Sequence, residues 1–482
     1  MKLLAMAFSA IFLISCGNST NSIDPNQQKD KQKNLGKQKE TYEIQVNNVY
    51  GEAVKGAKVL IGTQFDENNF YETNEDGQLT LSKEQWNGKQ SITIGYDSYV
   101  RVTYVNQSPK DLDVRLQPIL SERNYGISGI TEGFGSLKKD KWADVSVVAP
   151  LFSREQLIRF DVSYLISDQM DTMKVFGQKF SVPSNISFPK QKEKYGWFTL
   201  TLNKPIYRMP FYFSGTYDLI ALHGRFPFEK TIDKIRNDEN IFSVVNDFQI
   251  NQGGITRVEI NQGNHEKNLA INSLQFDREL EILSPDIKDE KEVNMIVGLN
   301  KKENKYFPSG IKYVKEKERV KLNFSSQHEN LALAFQSDEV KEGDTTMISN
   351  KISIQVMPLN NSDEFNLLDR VNSPIWENNS LVFERPREKT RVYDGGTYLS
   401  LTEMPDGQSI QMQLAQNQKV WEFYSDSWLD RLDLPEWPTG LSQDKKLRWE
   451  VMFLGTNKNS PNAIGENMLR EASHVSRNIL DL

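Results

Sequence analysis

Apolar and polar residues alternate along most of this chain at the period of two that a half-buried strand requires. Tyr42, Ile44 and Val46 alternate with polar neighbours, and so do Val320, Leu322 and Phe324, then Ile352, Ile354 and Val356, and later Trp449, Val451 and Phe453. Leu157 to Ile166 has the same form, with Ile158, Phe160, Val162, Tyr164 and Ile166 on one face and Arg159, Asp161 and Ser163 on the other; it is expected to be a strand. Turn signals such as Asp76-Gly77, Gly343-Asp344 and Asp406-Gly407 separate the runs. One stretch breaks the period: Phe228, Ile232, Ile235, Phe242 and Val245 fall at spacings of 4, 3, 7 and 3, which predicts a helix near 227–246. The run from Ile464 supports two readings, a helix through Met468 and Ala472 or a closing strand over Ser473 to Ile479. Short strands, frequent turns and little helix predict a mainly β, multidomain protein built from β-sandwiches with one or two helices.

The beginning of the chain is of another kind. After Lys2, Leu3 to Ile14 runs almost without polarity, which is too short for a bilayer span of about 20 residues. Leu13-Ile14-Ser15-Cys16 follows, and Cys16 is the only cysteine. This arrangement resembles the signal and lipobox of bacterial lipoproteins. The resemblance implies a signal peptide over 1–15, cleavage before Cys16, acylation of its thiol and amine, and attachment to a membrane through that lipid. Gly17, in place of Asp, implies the outer membrane if the host is Gram-negative. With no other cysteine there is no disulfide framework and no cysteine-based metal site. Residues 16–40 are nearly all polar and are expected to form a disordered tether with a reach of roughly 25 Å.

The clearest folded module spans 41–118. Gly51, Val54, Gly56, Ala57 and Val59, then Thr73, Asp76 and Gly77, and finally Gly95-Tyr96 resemble a carboxypeptidase regulatory-like, or transthyretin-like, β-sandwich domain. That resemblance implies an accessory module and no activity. At roughly 150 residues per domain the rest of the chain suits two larger bodies. The polar run Ser284 to Glu292 places the boundary between them, giving a β-rich domain over 119–289 and a sandwich-like domain over 290–482.

Candidate chemistry changes this picture little. The net charge is −7, from 58 basic and 65 acidic residues, and no basic block stands out, so nucleic acid is not an expected partner. His223, His265, His328 and His474 form no metal-binding pair, and no metal or cofactor is expected. No Gly-x-Ser-x-Gly elbow occurs. One segment gathers acids around tryptophans: Asp426, Asp430, Asp433 and Glu436 flank Trp428 and Trp437. Trp428, Trp437, Asp426 and Asp430 are the candidate glycan contacts, since acids beside aromatic platforms suit sugar binding or hydrolysis. Tryptophans filling a gap between sheets beside solvated acids would look the same. The expected function is a non-catalytic interaction, adhesion or scaffold protein of the cell envelope, with a protein or glycan partner. The alternatives are an envelope hydrolase acting on glycan or peptide, and a lipoprotein that binds a polysaccharide or solute.

Overall fold

The computed structural model describes residues 40–119, 123–135, 141–159, 165–167, 169–175, 178–236, 241–261, 263–289, 291–342, 345–359, 364–387, 389–404, 418–438, 446–457 and 463–482. Cys16, the signal peptide expected over 1–15 and residues 16–39 of the expected tether lie outside them. The protein is mainly β, with several sheets and few helices. It falls into two compact units, one from residues 123–368 and the other from 40–119 together with 369–482. The boundary expected near 289 lies inside the first unit, and the 41–118 module shares its unit with the C-terminal residues. No helix among the described residues is long and apolar enough to cross a membrane.

The first unit is built on a six-stranded sheet. Its order is Phe198–Lys204, Ile186–Tyr195, Trp142–Pro150, Gly215–Pro227, Gln249–Ile260 and Leu274–Gln275. The central strand Trp142–Pro150 is apolar almost throughout because both its faces are covered. Ala143, Val145 and Val147 pack with Phe188, Leu200 and Phe228 on one side. Val148 packs with Leu219 and Tyr207 on the other. A second antiparallel sheet joins Lys305–Val314, Glu292–Lys302, Glu329–Glu342 and Ile352–Pro358.

In the second unit, residues 41–118 form two sheets. Thr41–Asn48 lies between Gln78–Ser82 and Leu112–Leu116, and Lys58–Ile61 joins Phe70–Glu72 to Gln90–Gly95 and Arg101–Gln107. Burial alternates in Leu112–Leu116 as a one-sided strand demands, with Asp113 and Arg115 facing water. The edge Arg101–Gln107 does not stay open. Gln418–Ser425 pairs with it in parallel, placing Trp421 beside Arg101 and Tyr424 beside Tyr104. From there the sheet continues through Tyr393–Met404, Lys446–Thr456 and His474–Asp481.

Two expected elements differ in the structure, and a third, left open, is resolved. The strand expected from Leu157 is instead the helix Arg154–Arg159 as far as it is described. Ser153 and Gln156 form its capping box: the Gln156 amide donates to Ser153 Oγ at 3.2 Å, and the Ser153 amide donates to Gln156 Oε1 at 2.7 Å. The helix near 227–246 is split into Phe228–Arg236 and a tighter 3-10 turn over Ile241–Asp247. The ambiguous C-terminal run holds both forms, a helix over Glu466–Glu471 and the strand His474–Asp481.

Candidate functional site

The most exposed large aromatic side chain among the described residues is Trp197, at 87%. It sits at the tip of the hairpin formed by Ile186–Tyr195 and Phe198–Lys204. The base of this hairpin belongs to the six-stranded sheet, where Ile186 and Ser187 pair with Val147 and Ser146. Beyond that a bulge between Phe188 and Gln191 shifts the register, and the strands continue as a two-stranded ribbon. Gln191 bridges the divergence: its amide side chain accepts from the Asp144 amide at 2.8 Å and donates to the Asp144 carbonyl at 2.6 Å.

The ribbon has two unlike faces. Gln191, Glu193, Leu200 and Leu202 are buried, the two leucines in a core with Phe188, Phe226 and Phe228. The opposite face carries Lys190, Lys192, Lys194, Thr199, Thr201 and Asn203, all exposed. Lys194 stands across from Thr199, and Lys192 across from Thr201. No acidic residue falls on that face.

The tip is braced. Gly196 has φ +58, a backbone conformation that suits glycine and lets the chain reverse there. Its amide donates to Glu229 Oε1 at 2.9 Å, and the Tyr195 hydroxyl donates to Asp233 Oδ1 at 3.0 Å. Both acids project from the helix Phe228–Arg236, one turn apart. The Trp197 and Phe198 rings stack with centroids 3.7 Å apart and planes at 29°. Beside the tip lies an open depression of about 480 Å³ lined by Lys141, Pro227, Glu229, Lys230, Asp233 and Lys234. Lys230 and Lys234 hold Asp247 at 2.7 and 2.5 Å. Burial pushes the Asp247 carboxyl up, but hydrogen bonds from Lys230 and Lys234 outweigh it and hold the group below its ordinary range.

The glycan contacts expected in the second unit are arranged differently. Trp428 is buried, and its indole N–H donates to the Leu454 carbonyl at 2.7 Å, so it has no face to offer a sugar ring. Its backbone amide donates to Asp394, whose carboxyl is pushed up chiefly by burial. Trp437 is half-buried against Phe70, with the Arg101 guanidinium held between the Trp421 and Trp437 rings at 4.2 and 4.7 Å. Burial lowers the Arg101 pKa to about 10. A side chain at Gly95 would lie 2.8 Å from the Trp437 ring, so glycine is required there for the close approach. Asp426 and Asp430 are exposed, whereas Asp433 accepts from Ser380 and Arg431, and Glu436 accepts from the Phe65 amide. Asp433 and Glu436 are thus tied to separate partners. The two tryptophans therefore fill gaps between strands, as the ordinary reading of the segment allowed.

The histidines are likewise structural where they are buried. His223 Nε2 lies 2.7 Å from Asp144 Oδ1 in the sheet interior, and His474 Nδ1 is 2.8 Å from Ser473 Oγ. Near His223, the Thr131, Ser146 and Ser187 hydroxyls bond to one another at 2.6 to 2.9 Å, all buried. Sequence reading missed Trp197. The signal was present as Lys190-Gln191-Lys192-Glu193-Lys194-Tyr195-Gly196-Trp197-Phe198, where charge alternates up to a glycine and two aromatic residues.

No protein-family model matches this chain, and no curated protein matches it. Solved structures similar to it include the TIE protein of Bacillus anthracis, 12% identical over 62% of this chain and 45% of that one, with a TM-score of 0.14. The major pilin subunit of Bacillus cereus is 11% identical over 64% and 92% of the two chains, with a TM-score of 0.14. A shaft pilin from Lactobacillus rhamnosus is 9% identical over 49% and 99%, with a TM-score of 0.13. The chain spans less than half the length of the first of these. At such scores the architectures do not superpose, and the chain's own side chains must carry any functional reading.

Proposed function

We propose that this is a lipid-anchored, non-catalytic binding protein of the cell envelope, and that the ribbon ending in Trp197 and Phe198 is its contact element. The lipidated residue in this reading is Cys16, supported by the Leu13-Ile14-Ser15-Cys16 sequence and by its being the only cysteine. The 41–118 module acts in this reading as an accessory sandwich, as its resemblance to carboxypeptidase regulatory-like domains implies. The observation that carries the proposal is the Trp197–Phe198 stack. Trp197 is 87% exposed, at a tip braced by hydrogen bonds from Tyr195 and Gly196 to a neighbouring helix; its ring gains little for the fold, but it loses hydration when a partner covers it. Aromatic side chains placed this way are the commonest anchors of binding sites.

The test is retention on purified cell envelopes. Labelled Cys16→Ser protein, which carries no lipid, should be held by detergent-extracted envelopes, and adding Trp197→Ala should lower that retention at least ten-fold while the melting temperature is unchanged. Equal retention of the two proteins would remove the ribbon from the function.

A further inference from the structure

We infer that the exposed face of the ribbon binds an extended anionic polysaccharide, with Trp197 stacking on a sugar ring and Lys190, Lys192 and Lys194 meeting its carboxylate, sulfate or phosphate groups. This rests on the reading above that the ribbon is the contact element, and it names what the ribbon contacts. The lysines occupy alternate positions of one strand and are all exposed. On a strand that spacing is about 6.8 Å, so the charges form a straight ladder that ends at the aromatic tip. Thr199, Thr201 and Asn203 lie on the same face of the partner strand and supply hydroxyl and amide groups for sugar hydroxyls. The absence of an acid on that face leaves its field positive on a chain whose overall charge is −7. The face therefore favours an anion although the chain as a whole is acidic.

A membrane surface fits this ladder poorly. Touching a bilayer with the Trp197 tip would leave Lys190 roughly 20 Å behind the contact, well beyond the screening distance of about 8 Å at physiological salt. Only a ligand that runs along the ribbon engages the tip and all three lysines together. The bracing adds to the case, because Glu229 and Asp233 fix the tip in advance and less freedom is lost on binding.

The experiment uses full-length protein in detergent, with dextran sulfate and polygalacturonate as anionic probes, neutral dextran as control, and vesicles containing anionic phospholipid as competitor. Wild type should bind both anionic polymers and leave neutral dextran unbound. The triple variant Lys190→Gln, Lys192→Gln, Lys194→Gln should weaken binding by at least ten-fold and lower the salt slope by about one per lysine replaced. Trp197→Ala should weaken binding by a similar factor with the salt slope retained. Unchanged melting temperatures confirm that both variants fold, since every replaced side chain is exposed. Equal binding of neutral dextran, or an unaltered salt slope in the triple variant, overturns the inference. So does tighter binding to the vesicles than to the polymers. If Trp197→Ala abolishes retention on envelopes while the lysine variant changes nothing, the ribbon remains the contact element and the anionic polysaccharide alone is rejected.

Discussion

Replacing Trp428 and Trp197 by alanine, one at a time, separates a tryptophan that holds the fold from one that serves a partner. Trp428 is 7% exposed, and its N–H is satisfied by the Leu454 carbonyl. Truncation removes the whole buried ring and leaves that carbonyl without its donor. The transfer and cavity costs for a buried tryptophan together amount to about 3–5 kcal/mol. In a unit of this size each kcal/mol moves the melting temperature by about 2–4 °C, so Trp428→Ala should melt roughly 10 °C lower. Trp197 is 87% exposed and contributes almost no burial. Its truncation should change stability by less than about 0.5 kcal/mol, as exposed sites generally do. Differential scanning calorimetry reads both values. Near-native melting of Trp428→Ala would refute the packing assigned to it, and a large loss in Trp197→Ala would show that the tip supports the fold.

Other outcomes follow from the same structure. Cys16→Ser should move the protein from the membrane fraction to the soluble fraction, and continued membrane retention would reject the lipid anchor. Asp218 is nearly buried, and hydrogen bonds from Arg257 and Lys305 at 3.0 and 3.1 Å outweigh the upward push of burial, so its folded pKa lies below its unfolded value. The stability this provides is complete above the unfolded carboxylate pKa of about 3.9 and is lost as the pH falls through the lower folded value. Asp218→Asn should flatten the dependence of melting temperature on pH in that acid window, and an unchanged profile would reject the assignment. Gly254→Ala should destabilise the first unit by about 3 kcal/mol in urea unfolding, because its new methyl carbon would sit 1.9 Å from the Ala270 carbonyl oxygen. Lys419→Met should cost a similar amount, about 3–5 kcal/mol, since it removes the cation that lies 2.7 Å from the buried Glu422 carboxylate.

Much of the β architecture was legible because a one-sided strand must alternate. Ile44, Val46 and Leu322 are buried on the faces their spacing predicts, whereas Val451 lies in a strand that is buried on both faces. Leu157 to Ile166 misled because five alternating apolar residues outweigh a local signal when the two conflict. That signal, Ser153-Arg154-Glu155-Gln156, is a capping box, and in the structure it starts a helix with Glu155 and Arg159 paired one turn apart. The Trp428 segment misled for a different reason. A tryptophan between acids has the same sequence pattern whether its ring faces water or a neighbouring strand, and the strand in question comes from residues near 454. Trp197 was legible in principle, since a glycine followed by two aromatics after alternating lysines is a hairpin tip with one basic face. Its bracing by Glu229 and Asp233 was not legible, because more than 30 residues separate the partners.

The parallel pairing of Arg101–Gln107 with Gln418–Ser425 bears on biogenesis. When residues 41–118 emerge during synthesis or export, their eventual neighbour is still more than 300 residues from being made. Until then a strand border rich in valine and tyrosine stands uncovered, ready to join any extended segment that arrives first. Such an early fragment would need an escort, and truncated products ending before Gln418 should aggregate or be degraded. The long middle unit thus delays the moment at which the ends of the polypeptide can protect each other.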